Sequence, residues 1–195
     1  MDELEPGLWR WTAIHPEAEE DPKPGSPADW PPEVGSVAYV ADNTLVLIDP
    51  LVPDEVWTAL DGLASGRSVH VLTTIGWHRR NRDEVVERYG ASSSRARTSL
   101  PTQVVPITLR GGGETMFWLP EVRTLVPGDR LLGTGDGGVR VCPDSWLRYL
   151  KGRIDGAQLR VLLAPLLDLP VERILTSHGE PVLSGGHEAL RHALA

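Results

Sequence analysis

The sequence is poor in cysteine, lysine, phenylalanine and long apolar runs. Cys142 is the one cysteine, so no internal disulfide can form, the small disulfide-stapled folds are excluded, and the expected compartment is the cytoplasm. No apolar run approaches the roughly 20 residues of a membrane span. The opening residues, "MDELEPGLWR", are acidic and carry no apolar stretch, so no signal peptide is expected. Positive charge is also short. Nineteen Lys and Arg against 27 Asp and Glu give a net charge of −8, which argues against nucleic acid or an anionic membrane as partner. Lys23 and Lys151 are the only lysines, a bias towards arginine that hints at a GC-rich bacterial source.

What is present is ordinary for a globular chain: 195 residues, 41% apolar and 24% charged. A chain of this length can bury about 70% of its unfolded surface in one core, and a single domain over residues 1–195 is expected. Residues 1–6 read as loose and "GLWRWTAIH" as a strand. The Pro- and acid-rich stretch 16–33 reads as a loop or lid. "SVAYVA" and "TLVLID" flank "DN" as a hairpin, and "PDEVWTALDGLA" has the proline, first-turn acids and apolar spacing of a helix. "SVHVLTT" is a buried strand and "RDEVVERYG" a helix closed by Gly90. "QVVPITL", "TMFWLP", "RTLVPGDRLL" and "GVRVCP" follow as strands. "DSWLRYL" and "AQLRVLLAPLLDL" follow as helices, "RILTSH" as a strand and "GGHEALRHALA" as the closing helix. This order suggests two packed sheets with helices on their outer faces.

The residues able to carry chemistry cluster at strand ends. Asp49 follows "TLVLI", His78 follows "VHVLTT", Asp129 lies in "LVPGD" and His178 follows "RILTS", while Glu114 begins a strand. Acids and imidazoles at strand C-terminal ends converge on one rim, where ligands bind, and such donors suit zinc, iron or manganese. Each has a plainer role open to it: Asp49 before Pro50 as a turn residue, Asp129 in "PGDR" as a hairpin residue, His178 as a strand cap. The arginines Arg79, Arg80, Arg82, Arg88, Arg95 and Arg97 are either a solvated face balanced by Asp83, Glu84 and Glu87 or the lining of an anion pocket. "GGG" and "GTGDGG" lack a phosphate-cradle context and read as turns. There is no G-x-S-x-G elbow, Cys142 has no evident base, His187 and His192 are expected at the surface, and His70 is expected in packing. Trp77 and Trp118 flank the expected site, as pocket walls or as core.

Over residues 33–192 the chain resembles the metallo-β-lactamase superfamily. "VGSVAYVADNTLVLIDPLVP" is similar to the family's opening hairpin and first motif, with Asp49 as its acid. "LVPGDRLLG" resembles the motif whose aspartate, here Asp129, bridges two metals, and "VERILTSHGEPV" the last motif, with His178. The resemblance implies an α+β, four-layer αββα sandwich and a hydrolase of esters, thioesters, lactams or phosphodiesters that uses two zinc or iron ions. The main H-x-H-x-D-H motif is broken. With Thr74 first, Gly76 takes the second place, His78 the aspartate's and Arg79 the last; a shifted register moves His78 towards the last histidine. A further histidine is replaced by Glu114 in "GGETMFW". The implied site is therefore reduced: one zinc, iron or manganese held by His78, Asp129 and His178 with Glu114 as fourth ligand, or no metal at all. Asp129 would orient water, Arg79 would meet substrate charge on a small, anionic molecule, Arg80 would add positive charge, and Asp49 would support the ligands from behind. The alternative is a non-catalytic relative that keeps the fold as a binding or scaffold protein.

Overall fold

The computed structural model describes residues 1–26, 28–93 and 100–195. The strands are β1 (Asp2–Glu5), β2 (Leu8–Ile14), β3 (Glu33–Ala41), β4 (Thr44–Ile48), β5 (Ser68–Leu72) and β6 (Ser92–Ser93), then β7 (Val105–Leu109), β8 (Glu114–Leu119), β9 (Thr124–Val126), β10 (Leu131–Gly133), β11 (Val139–Val141) and β12 (Arg173–Ile174). The helices are α1 (Asp54–Ala64), α2 (Arg82–Tyr89), α3 (Gly156–Leu163) and α4 (Gly186–Leu194). Strands β1 to β6 form one sheet in sequence order; β12-β9-β8-β7 form a second; β10 and β11 pair as a separate hairpin. Among the described residues no helix is long and apolar enough to cross a membrane.

The four layers follow from strand alternation. In β4, Leu45 and Leu47 pack with Val56 and Leu60 of α1 and Val85 of α2, while Val46 and Ile48 point the other way. In β8, Phe117 and Leu119 meet Val46 and Ile48 between the sheets, and Met116 and Trp118 face Leu159 and Leu163 of α3 and Leu190 of α4. Three apolar layers thus separate helix, sheet, sheet and helix, the expected αββα order. Local signals set the helix ends. Asp155 and Gln158 form a reciprocal capping box at α3, and Gly90 closes α2 in the left-handed region at φ 60°.

Several elements differ from expectation. Residues Asp2–Glu5 are an edge strand antiparallel to β2 rather than loose chain, because pairing overrides the weak strand preference of acids. "RTLVPGDRLL" is split: Pro127 to Arg130 turn between β9 and β10, and Pro127 has no N–H to continue a ladder. "DSWLRYL" makes a 3₁₀ turn at Asp144–Leu147, and "AQLRVLLAPLLDL" changes from α to 3₁₀ at Ala164, next to Pro165. Trp118 belongs to the helix-side core. Arg95 and Arg97 lie outside the described residues.

Two backbone segments touch directly beside the rim. Gly133 N–H donates to the His178 carbonyl at 3.0 Å, and a Cβ on Gly133 would collide with the Glu180 backbone. The absence of a side chain there lets β10 hold the turn that carries His178. Gly133→Ala is expected to lower stability by about 2–3 kcal/mol, read as a fall in the urea midpoint; an unchanged midpoint would mean that these backbones separate freely.

Candidate metal centre

Parallel pairing brings the polar strand ends to one place. Ile48 of β4 is in register with Leu72 of β5, so Asp49 and the turn after β5 leave the sheet side by side. Leu125 of β9 is in register with Ile174 of β12; Asp129 follows the first by as many residues as His178 follows the second. An antiparallel bridge from Val34 to His178 then joins the two sheets. His78, Asp129 and His178 are all buried, and one donor atom from each lies within 4.8 Å of the others. Among the described residues this is the one such group.

The donors have the spacing of ligands. His78 Nε2 is 3.0 Å and His178 Nε2 3.3 Å from Asp129 Oδ1. Tetrahedral zinc with bonds of about 2.0–2.2 Å places neighbouring ligand atoms about 3.3–3.6 Å apart. Asp129 Oδ1 is buried, and both imidazoles approach this one atom, which brings the three donors to a common point. The other oxygen, Oδ2, accepts from Trp77 Nε1 at 2.8 Å. Behind His78, Nδ1 donates to Asp49 Oδ2 at 2.9 Å, which leaves Nε2 as the acceptor nitrogen of a neutral ring. Asp49 also accepts from Thr74 N–H at 2.8 Å and from the Thr74 hydroxyl. The residues present fit a single zinc ion with two imidazoles and one carboxylate.

Electrostatics divide the two imidazoles. Burial opposes a charge on His78, but Asp129 and then Asp49 outweigh it and push the ring up to about 9. Burial holds His178 below its ordinary value despite Asp129, with His78 and Arg80 adding repulsion. Burial also opposes ionisation of Asp129, yet the two imidazoles hold it well below the usual carboxylate range. Without a metal the two flanking carboxylates favour the protonated His78 ring, whereas a metal would bind its neutral form.

Three solved structures show where this architecture has been seen. A metallo-β-lactamase from Pontibacter korlensis superposes with a TM-score of 0.64 at 14% identity, over 99% of this chain and 95% of its own. One from Erythrobacter litoralis gives 0.60 at 14%, over 99% and 89%. FIM-1 from Pseudomonas aeruginosa, solved in a mono-zinc form, gives 0.60 at 13%, over 98% and 91%. The fold is that of the metallo-β-lactamases. No family model matches the sequence, and no curated protein does.

Thr74 and Glu114 lie side by side: a Cβ on Gly128 would be 2.5 Å from Thr74 Oγ1 and 3.0 Å from Glu114 Oε2. Glu114 does not join the donor group. Its Oε1 accepts from Gly128 N–H at 2.8 Å, and Oε2 accepts from the N–H groups of Asp129 at 2.7 Å and Arg130 at 3.0 Å. Its lone pairs are spent on the turn that presents Asp129. Burial pushes it up to about 7 against the pull of Arg130.

The arginine expectation also changes. Arg79 is exposed, pairs with Asp83 at 3.1 Å and does not line the cavity over His78 and His178; it borders a neighbouring cavity with Thr74 and Glu114. Arg80, in the left-handed region at φ 41°, turns inward instead. It donates to the carbonyls of Gly35 and Asp49, both at 2.7 Å, and to Ser177 Oγ at 2.9 Å. The positive charge at the site is therefore Arg80. His70 is buried in β5, as packing required, and Cys142 is buried beside Arg130.

The cavity above the three donors holds about 450 Å³. Trp77, Trp146, Tyr149 and, from segment 16–33, Trp30 form its walls. Sequence reasoning passed over Trp30, Trp146 and Tyr149; the signal was seven tryptophans against one phenylalanine.

Two outcomes test the centre. The folded-state value of His78 lies above its unfolded value of about 6.5, so its contribution to the metal-free protein is complete below that pH and is lost as pH rises through about 9. Metal-free stability should fall across this window, while zinc affinity, which requires loss of the same proton, should rise. Urea unfolding and a chelator competition series between these pH values read the two opposed slopes; parallel slopes would contradict the proton assignment. Asp49→Ala should weaken zinc binding about 10- to 100-fold by freeing the His78 ring, measured in the same competition.

Proposed function

We propose that the chain is a metal-dependent hydrolase that works with a single ion, preferentially zinc, on an ester, thioester, lactone or phosphoester of a small molecule. The observation that carries this reading is the meeting of His78 Nε2, Asp129 Oδ1 and His178 Nε2 at ligand spacing beneath an open cavity. Three protein ligands and one free position are the arrangement of catalytic rather than structural zinc. When bound, the ion would supply a Lewis acid and lower the pKa of water.

The chain's own part is positioning. Asp49 fixes the tautomer and plane of His78, and Trp77 holds Asp129 Oδ2 so that Oδ1 alone faces the imidazoles. With both oxygens committed, Asp129 acts as a holder of geometry and not as a proton carrier. Arg80 places a half-buried positive charge beside the donors, in a setting where fixed charge acts more strongly than in bulk water.

A second reading, a non-catalytic relative that binds a ligand in the same cavity, draws on the Thr74 side. Gly76 offers no ligand, and the Glu114 carboxylate is occupied by three backbone amides, so a second ion has no comparable set. Elemental analysis with an ester, lactone and phosphodiester assay separates the two readings. One equivalent of zinc, turnover of at least one substrate class, and loss of both in His178→Ala and Asp129→Asn support the hydrolase. A protein that purifies metal-free, gains no activity with zinc and is unaffected by chelator is the non-catalytic relative.

A further inference from the structure

We propose that the cavity over His78, Asp129 and His178 selects an uncharged carboxylic ester, thioester or lactone bearing an aromatic ring, and discriminates against phosphate- and carboxylate-bearing molecules. This narrows the substrate class of the site proposed above and rests on that reading only for the fate of the acyl bond. A cavity of about 450 Å³ is within the range of small-molecule sites.

Its walls are aromatic on two sides of the donor group. Trp30 and Trp146 meet the His178 imidazole at centroid distances of 5.3 and 5.6 Å, with interplanar angles of 68° and 75°. Beside Asp129, Trp77 and Tyr149 meet edge to face at 4.6 Å and 83°. These last two are large aromatics left 50% and 48% exposed. The Trp77 N–H is spent on Asp129 and the Tyr149 hydroxyl on Arg130, so their free surface is ring. Exposed rings whose polar tips point inward form a platform for another ring.

The charges around the cavity are already committed. Both terminal nitrogens of Arg80 are used on the protein, and its Nε is buried out of reach of solvent. With both terminal nitrogens used and Nε, though unpartnered, closed to solvent, Arg80 presents to the cavity no open fork of the kind on which phosphate and carboxylate recognition rests. Glu17, an exposed carboxylate, stands at the cavity edge, and the chain as a whole carries −8. An anionic group entering here meets Glu17 at the edge and, deeper, an Arg80 whose terminal nitrogens are already used, whereas a neutral ring meets four aromatic side chains.

The test uses the full chain after chelation, so that a carboxylate cannot bind through a metal, and three probes: 2-acetonaphthone, which mimics an aromatic ester without being hydrolysed; cyclohexyl methyl ketone; and 2-naphthoate. Calorimetry and quenching of tryptophan emission read the binding. 2-Acetonaphthone should bind about tenfold more tightly than either other probe. Trp77→Ala should weaken it roughly three- to tenfold and Trp77→Phe should recover most of that, as expected of ring–ring contact. Equal or tighter binding of 2-naphthoate, equal binding of the cyclohexyl ketone, no measurable binding of 2-acetonaphthone, or indifference to Trp77→Ala would each overturn the proposal. None of these results depends on turnover, so failure of the hydrolase reading, seen as absent zinc and absent activity, is separately visible.

Discussion

One buried carboxylate organises the rim. Asp49 accepts from Thr74 N–H, from the Thr74 hydroxyl and from His78 Nδ1. Its backbone N–H donates to Leu72, and its carbonyl receives both the Ser36 hydroxyl and the Arg80 guanidinium. To do so it adopts φ 48°, a left-handed conformation that aspartate tolerates better than most side chains. Through this residue β3, β4, β5 and the turn holding His78 become one unit. A buried carboxylate with donors on every side is stable only while all of them stay in place, so the orientation of His78 is inherited from the packing of a sheet.

The second sheet makes its contribution in the same way. Asp129 and His178 arrive together because β9 and β12 are parallel and in register. The turn bearing Asp129 is drawn down by Glu114 from the start of β8, while the turn bearing His178 is pressed against Gly133. Each sheet supplies a rigid half, and the donor group exists only where the halves meet. Rigid elements under each ligand are what a site needs to hold donors at fixed separation.

Much of this was legible in the chain. Strand alternation and helix ends announced two sheets with outer helices, and acids or imidazoles at strand ends pointed to a shared rim. The unread parts have physical causes. Arg79 and Arg80 are neighbours of identical type, and only the backbone turn at Arg80 decides which guanidinium faces inward. Glu114 looks like a ligand until the amides of Gly128, Asp129 and Arg130 are seen converging on it, and backbone donors have no letter in a sequence. The acidic first residues look loose until an antiparallel neighbour supplies their hydrogen bonds. Trp30 lies far along the chain from His178, and their edge contact is a tertiary event without periodic signature.

Thr74 and Glu114 stand together beside the turn that carries Asp129, and that side of the rim is held by a network around Glu114. Around Glu114, itself buried, the holding force is hydrogen bonding. Three backbone N–H groups are gathered by one carboxylate, and Arg130, fully buried, donates to the Gly112 carbonyl at 2.7 Å and carries compensating charge. Hydrogen bonds from amides to an ionised carboxylate are charge-assisted and individually stronger than neutral ones. This network keeps the turn of Asp129 in place. The donor group of His78, Asp129 and His178 thus rests on a turn fixed by hydrogen bonds within the protein itself.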